Sequence, residues 1–166
     1  IYRKESNGWK YSLSLLTPTS VMVANCSTKK QGSAKQTGIA QGWRIKMEIH
    51  YKGITHERTE DAPFIGALVC AMNCEFNCDG CFNQHLRGGE TPVYVNTAEE
   101  IVAKIKENPF NEGIILAGLE WSLQPLELVE LASVASRAGL QVMIYTGNSL
   151  LDFQRIIGQS CAKKYG

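Results

Sequence analysis

Residues 43–51, Trp-Arg-Ile-Lys-Met-Glu-Ile-His-Tyr, alternate apolar and polar without interruption. A period of two puts Trp43, Ile45, Met47, Ile49 and Tyr51 on one face of a strand and Arg44, Lys46, Glu48 and His50 on the other, so the strand is half-buried. A polar stretch follows and predicts a loop. Residues 64–69, Phe-Ile-Gly-Ala-Leu-Val, then form an unbroken apolar run suited to a strand covered on both faces. After Gly88-Gly89 the pattern becomes one of alternating strands and helices. Thr97 with Glu100 three positions on is a capping-box signature and predicts a helix to about Glu107. Gly113-Ile-Ile-Leu-Ala117 reads as a short buried strand, and Pro125 suits the first turn of a helix carrying Leu128, Leu131, Val134 and Ala135 that stops at Gly139. Val142-Met-Ile-Tyr145 is the next strand, and Ser149 with Asp152 opens a last helix to about Ile157.

Repeated strand–helix units predict an α/β fold with a parallel sheet and right-handed crossovers. Residues 1–42 differ. Trp9-Lys-Tyr-Ser-Leu-Ser-Leu-Leu16, the break at Thr17-Pro18 and Val21-Met-Val-Ala24 predict a small β-hairpin, with Asn25-Cys26 closing it in an Asx-type turn. Residues 27–42, rich in Ser, Thr, Lys, Gln and Gly, predict a flexible linker. The expected division is a hairpin and linker over 1–42 and a core domain over 43–166.

Composition narrows the function classes. Lys+Arg of 17 against Asp+Glu of 16 leaves no basic surface for nucleic acid or an anionic membrane. No apolar run approaches the ~20 residues that cross a bilayer. The six cysteines are clustered, and no secretory signal is evident, so reducing, cytoplasmic conditions are expected.

The most specific feature is Cys74-Glu-Phe-Asn-Cys78-Asp-Gly-Cys81, a C-x3-C-x2-C spacing directly after the run at 64–69. Three thiolates on one loop can hold three irons of a cubane 4Fe-4S cluster and leave the fourth iron open to a substrate or cofactor. A zinc site built from these three with His85 or Cys70 is the rival at this stage. In parallel sheets, ligands gather at the C-terminal ends of the strands. The cysteines, residues 118–120 and residues 146–147 all fall there. Cys70, closing its strand, is expected to pack as a small apolar residue, and His50 to face water. His85 could touch a cluster sulfur or a substrate. His56, Cys26 and Cys161 have no assigned partner, and Trp121 either walls the site or packs in the core.

These residues resemble the radical S-adenosylmethionine (SAM) superfamily. More narrowly, Cys78-Asp-Gly-Cys81-Phe-Asn83-Gln84 is similar to the loop of the small activases of glycyl-radical enzymes, above all those of anaerobic (class III) ribonucleotide reductase. Leu116-Ala-Gly-Leu-Glu120 stands where that family has a Gly-Gly-Glu strand end, and Tyr145-Thr-Gly147 matches at the next strand; the likeness covers about 44–158. The sequence departs from the family in reading Gly118-Leu119-Glu120, and in stopping after the third strand–helix unit. The resemblance thus implies a partial (β/α) radical-SAM barrel, either lacking a C-terminal part or completed by strands from the N-terminal segment.

It further implies that Cys74, Cys78 and Cys81 ligate the cluster and that SAM chelates the fourth iron. Glu120 would accept a hydrogen bond from the SAM amino group, Gly118 and Leu119 would offer backbone groups, and Thr146 would hold the ribose or carboxylate. Phe82 with Asn83 would border the adenine. The implied activity is reductive cleavage of SAM to a 5′-deoxyadenosyl radical. Its implied partners are the large subunit of the anaerobic reductase, as protein substrate, and an electron donor such as flavodoxin or ferredoxin, with no nucleic acid or membrane. Two alternatives are a radical-SAM enzyme acting on a small molecule, as in 7-carboxy-7-deazaguanine synthesis, and a zinc-stabilised domain without catalysis.

Overall fold

The expected alternation survives in β3 (Glu48–Arg58), where Ile49 and Tyr51 are buried and Glu48 and His50 are exposed. The computed structural model describes residues 3–5, 8–10, 47–87 and 89–165. Among these, β1 (Arg3–Glu5) and β2 (Gly8–Lys10) pair antiparallel as a separate two-stranded sheet. The expected hairpin beyond Lys10, the linker, the boundary near residue 42, Cys26, Trp43 and Ile45 lie outside the described residues.

Four further strands join β3 in a sheet of order β5-β3-β4-β6-β7. These are β4 (Gly66–Ala71), β5 (Tyr94–Thr97), β6 (Gly113–Ala117) and β7 (Gln141–Ile144). β4, β6 and β7 run parallel, as expected, but β3 is antiparallel to both β4 and β5. The sheet is therefore mixed rather than wholly parallel. The connection from β3 to β4 is the short segment 59–65, whereas a parallel return needs a crossover of about a dozen residues or more. β3 also runs on to Arg58 through residues whose polar character predicted a loop. Backbone pairing to β4 holds them, with register slips between Tyr51 and Gly53 and between Thr55 and Arg58 and a positive φ of 56° at Glu57. β5 has only four residues, too few to show a period.

The helices begin where their caps direct. Thr97 Oγ1 accepts from the Glu100 amide at 3.3 Å, and Glu100 Oε2 accepts from the Thr97 amide at 2.9 Å. That reciprocal box opens α1 (Ala98–Lys106). α2 (Pro125–Arg137) starts at its proline. α3 (Leu150–Tyr165) starts after Ser149, whose Oγ accepts from the Asp152 amide. It extends past its expected end because Ile157 and Cys161, one turn apart, both bury against the core.

The alternation along β6 divides two cores. Ile114 and Leu116 join the large core shared with Ile101, Leu128 and Leu131 of the helices. Ile115 and Ala117 point the other way, onto Phe64 with Met143 and Tyr145 beside it. Among the described residues no helix covers that second face; Phe64, brought by the β3–β4 connection, fills it. Tyr145 Oη donates to the Asp61 carbonyl at 2.5 Å and ties the same segment to the far strand. Trp121 is fully buried and donates to the Val69 carbonyl at 3.1 Å, so it packs.

Gly113 makes room for Phe64: a methyl there would overlap the ring and come within 2.7 Å of the Gln141 carbonyl oxygen. Gly113→Ala should therefore destabilise the fold by about 1–3 kcal/mol, the usual cost of overpacking. Urea unfolding should show a lower midpoint at unchanged slope.

Candidate functional site

Three loops leave the sheet from one edge, because Cys70 lies opposite Ala117 and Leu116 opposite Ile144 in the parallel ladders. The first follows β4 and carries the cysteines. The second follows β6 and contains residues 118–124, and the third follows β7 and contains residues 145–149. Hydrogen bonds join the first two. The Glu120 amide donates to the Asn73 carbonyl at 2.9 Å, Asn83 Nδ2 to the Gly118 carbonyl at 2.7 Å, and the Met72 amide to Gln124 Oε1 at 3.0 Å. Gly118 sits at φ 84°, and a Cβ on it would overlap the Cys70 sulfur. Both its backbone angle and its packing exclude a larger residue.

Glu120 joins the second and third loops. Its side chain is buried, at 3% exposure. Oε1 accepts from the Ser122 amide and from Thr146 Oγ1, both at 2.9 Å, and Oε2 accepts from the Gly147 amide at 2.8 Å. Charge-assisted bonds of this kind are what allow a carboxylate to be buried. Asn148 extends the network, its Nδ2 donating to Ser122 Oγ at 2.8 Å and to Thr146 Oγ1 at 3.0 Å. A cavity of about 390 Å³ opens beside it, lined by Glu75, Phe76, Glu120, Ser122, Leu123, Asn148 and Ile156.

The cysteines sort by burial. Cys70 and Cys161 are buried, Cys78 is exposed, and Cys74 and Cys81 are half-buried. Cys70 thus packs as expected. The Cys81 amide donates to the Cys78 carbonyl at 3.3 Å across a turn with Gly80 at φ 67°. An Arg87 guanidinium nitrogen donates to the Cys74 carbonyl at 3.1 Å. Burial pushes the Cys74 thiol above its ordinary range, and the charges of Glu120 and Cys78 add to this; the Phe76 backbone and Arg87 pull the other way. Burial also raises the Cys70 thiol, against a backbone hydrogen bond at Leu119 and the charge of Lys52.

The residues expected around SAM are brought to this edge, with different surroundings. Glu120 and Thr146 meet in the network, and Gly118 accepts from Asn83 of the cysteine loop. Leu119 is buried in the helix-side core, and Phe82 is 92% exposed. Asn83 spends its amide on Gly118. His85 is exposed on a short 3₁₀ turn, Gln84–Arg87, and His56 pairs with Asn111 at 2.7 Å, at the opposite end of the sheet from the cysteines. Phe76, Ser122 and Asn148 line the cavity and carried no expectation. Only Asn148, directly after Thr146-Gly147, had a signal in the sequence that could have drawn attention.

Residues 65–163 match the family described as a 4Fe-4S single cluster domain, more than half of the chain and all three loops. The chain belongs to the 4Fe-4S single cluster domain family. No curated protein and no solved structure matches it.

For this 4Fe-4S single cluster domain the donor chemistry fits. Thiolates are the ordinary ligands of cluster iron, and Cys74, Cys78 and Cys81 are the described thiols that leave the core together on one loop. Among the described residues no three His, Cys, Asp or Glu side chains converge on a point that one metal ion could occupy. Also among the described residues, no helix is long and apolar enough to cross a membrane.

Glu120→Gln keeps the shape of the side chain but leaves a single acceptor oxygen for three donors. It should cost about 1–3 kcal/mol and speed hydrogen exchange at the Ser122 and Gly147 amides. In the apo-protein, iodoacetamide should label Cys78 first and Cys70 and Cys161 last, an order that peptide mass spectrometry would read directly.

Proposed function

We propose that this chain is a radical-SAM enzyme, and that it generates the glycyl radical of an anaerobic ribonucleoside-triphosphate reductase. The supporting observation is a convergence. A three-thiol loop, a buried carboxylate and the Thr146-Gly147 turn meet at the C-terminal edge of three adjacent parallel strands, around one cavity.

Cys74, Cys78 and Cys81 would hold three irons, leaving the fourth to the amino and carboxylate groups of SAM. The chemistry supplied by the loaded cluster is one-electron cleavage of the sulfonium carbon–sulfur bond, giving methionine and a 5′-deoxyadenosyl radical. The protein's part is to bind, orient and exclude water. A carboxylate offers about four acceptor sites. The two backbone amides and the Thr146 hydroxyl take three at Glu120, and the last is left for an incoming ammonium. Because those donors fix the carboxylate before the ligand arrives, little reordering accompanies binding. Thr146 holds Glu120 from one side and accepts from the Asn148 amide at 3.1 Å, so its hydroxyl is fully oriented.

The exposed Phe82 beside the cysteine loop favours a protein target, which would dock at that open edge. A glycine-bearing loop of a large subunit can do so.

Anaerobic reconstitution should give a brown protein with about four irons and four sulfides, lost in Cys78→Ala. With strong reductant and SAM it should form 5′-deoxyadenosine. Glu120→Ala should keep the cluster and weaken SAM binding by about tenfold or more. A colourless protein carrying one zinc, or a reduced cluster that yields no deoxyadenosine, overturns the proposal. Incubation with the reductase large subunit should produce a glycyl doublet in electron paramagnetic resonance. Deoxyadenosine formed without that doublet would point to a small-molecule substrate instead.

A further inference from the structure

We infer that Arg87 sets the reduction potential of the cluster: clasped to the Cys74 carbonyl, its guanidinium is the fixed positive charge that favours the reduced state. This rests on the reading of Cys74, Cys78 and Cys81 as ligands and not on cleavage of SAM. A guanidinium nitrogen of Arg87 donates to the Cys74 carbonyl at 3.1 Å. The turn that carries it, Gln84–Arg87, is anchored on both sides. The Leu86 amide donates to the Asn83 carbonyl at 3.1 Å, and Asn83 Nδ2 donates in turn to the Gly118 carbonyl. Thr91 Oγ1 donates to the Leu86 carbonyl at 3.1 Å, and Lys52 of β3 donates to Thr91 Oγ1 at 2.9 Å. Arg87 therefore reaches the first cysteine from a base tied to the second loop and to β3.

Charge at this edge is one-sided. Among residues 72–93, 118–124 and 145–149, Glu75, Asp79, Glu90 and Glu120 are acidic, and Arg87 is the one Lys or Arg. It is half-buried, so water and salt screen it less than a surface cation. Among the described residues no carboxylate lies within ion-pair distance of it. Its charge is therefore uncompensated, and it acts at the Cys74 sulfur in opposition to Glu120. A cluster held by three thiolates is anionic. Taking one electron from an external donor adds a further negative charge, with no bond made or broken. Net charge and hydrogen bonding around the sulfurs set such potentials, so a cation held beside one ligand favours the reduced form. A guanidinium stays protonated in proteins, which makes this charge a permanent one.

The test is an anaerobic redox titration of the reconstituted protein, read from the electron paramagnetic resonance of the reduced cluster. Arg87→Gln should cut the reduced-to-oxidised ratio at a fixed potential about threefold to tenfold, a fall of roughly 30–60 mV for a one-electron couple. Arg87→Lys keeps the charge and should bring the ratio back to near the wild-type value. Arg137→Gln removes the same charge at the far end of α2 and should leave the potential unchanged. Iron and sulfide content with circular dichroism show that each variant is folded and loaded. An unshifted potential in Arg87→Gln, or an equal fall in Arg137→Gln, overturns the inference. Should Arg87→Gln take up no iron, Arg87→Lys decides: a potential near wild type supports the assignment and a lowered one overturns it. A potential that shifts as expected in a protein forming no deoxyadenosine sinks the enzymatic proposal and leaves the role of Arg87 standing; a wild type that assembles no cluster sinks both.

Discussion

A buried carboxylate fixed by three protein donors organises this edge of the molecule. Removing a charge from water costs several kcal/mol unless its lone pairs are met, and Glu120 meets that demand with the Ser122 and Gly147 amides and the Thr146 hydroxyl. Its own amide is held by Asn73 of the cysteine loop. One residue therefore ties together the three loops that follow β4, β6 and β7. The same bonds orient Thr146 and, through it, Asn148.

The sheet supplies the frame for that knot. Only β4, β6 and β7 run parallel, and these three carry the cysteines, the carboxylate and the Thr146-Gly147 turn to a common edge. The antiparallel β3 and β5 complete the sheet on the side away from β6, following from a connection too short for a crossover. That connection has a second consequence, because it delivers Phe64 to the sheet face that no described helix covers. Glycines appear where groups must approach closely: Gly113 under the Phe64 ring, Gly118 against Cys70 and Gly147 under Phe76.

Membership of the 4Fe-4S single cluster domain family agrees with the sorting of thiols by burial. Cys70 and Cys161 behave as small apolar side chains, while the trio on the loop stays near solvent. Burial raises the Cys74 thiol, so removing its proton takes a higher pH than for a thiol in water. Phe76, between the first two cysteines of the loop, forms part of the cavity wall.

Much of this was legible in local pattern. The capping box at Thr97, the proline start of α2 and the bounds of β6 depend on neighbours in the chain, and the structure keeps them. The C-x3-C-x2-C spacing is legible in the same way, because it is read from residue type and position alone. The direction of β3 and the paired residues beyond Tyr51 were not legible, since backbone partners rather than side chains hold them. Nor were the surroundings of Leu119, Phe82 and Asn83, or the places of Phe76, Ser122 and Asn148. A side chain's orientation is settled by contacts between loops more than twenty-five residues apart in the chain, such as Glu120 with Thr146. Local sequence thus determined the elements and the chemistry they carry. Only tertiary packing decided which of those groups share a cavity, because that choice is made by steric fit and hydrogen bonding across the sheet edge.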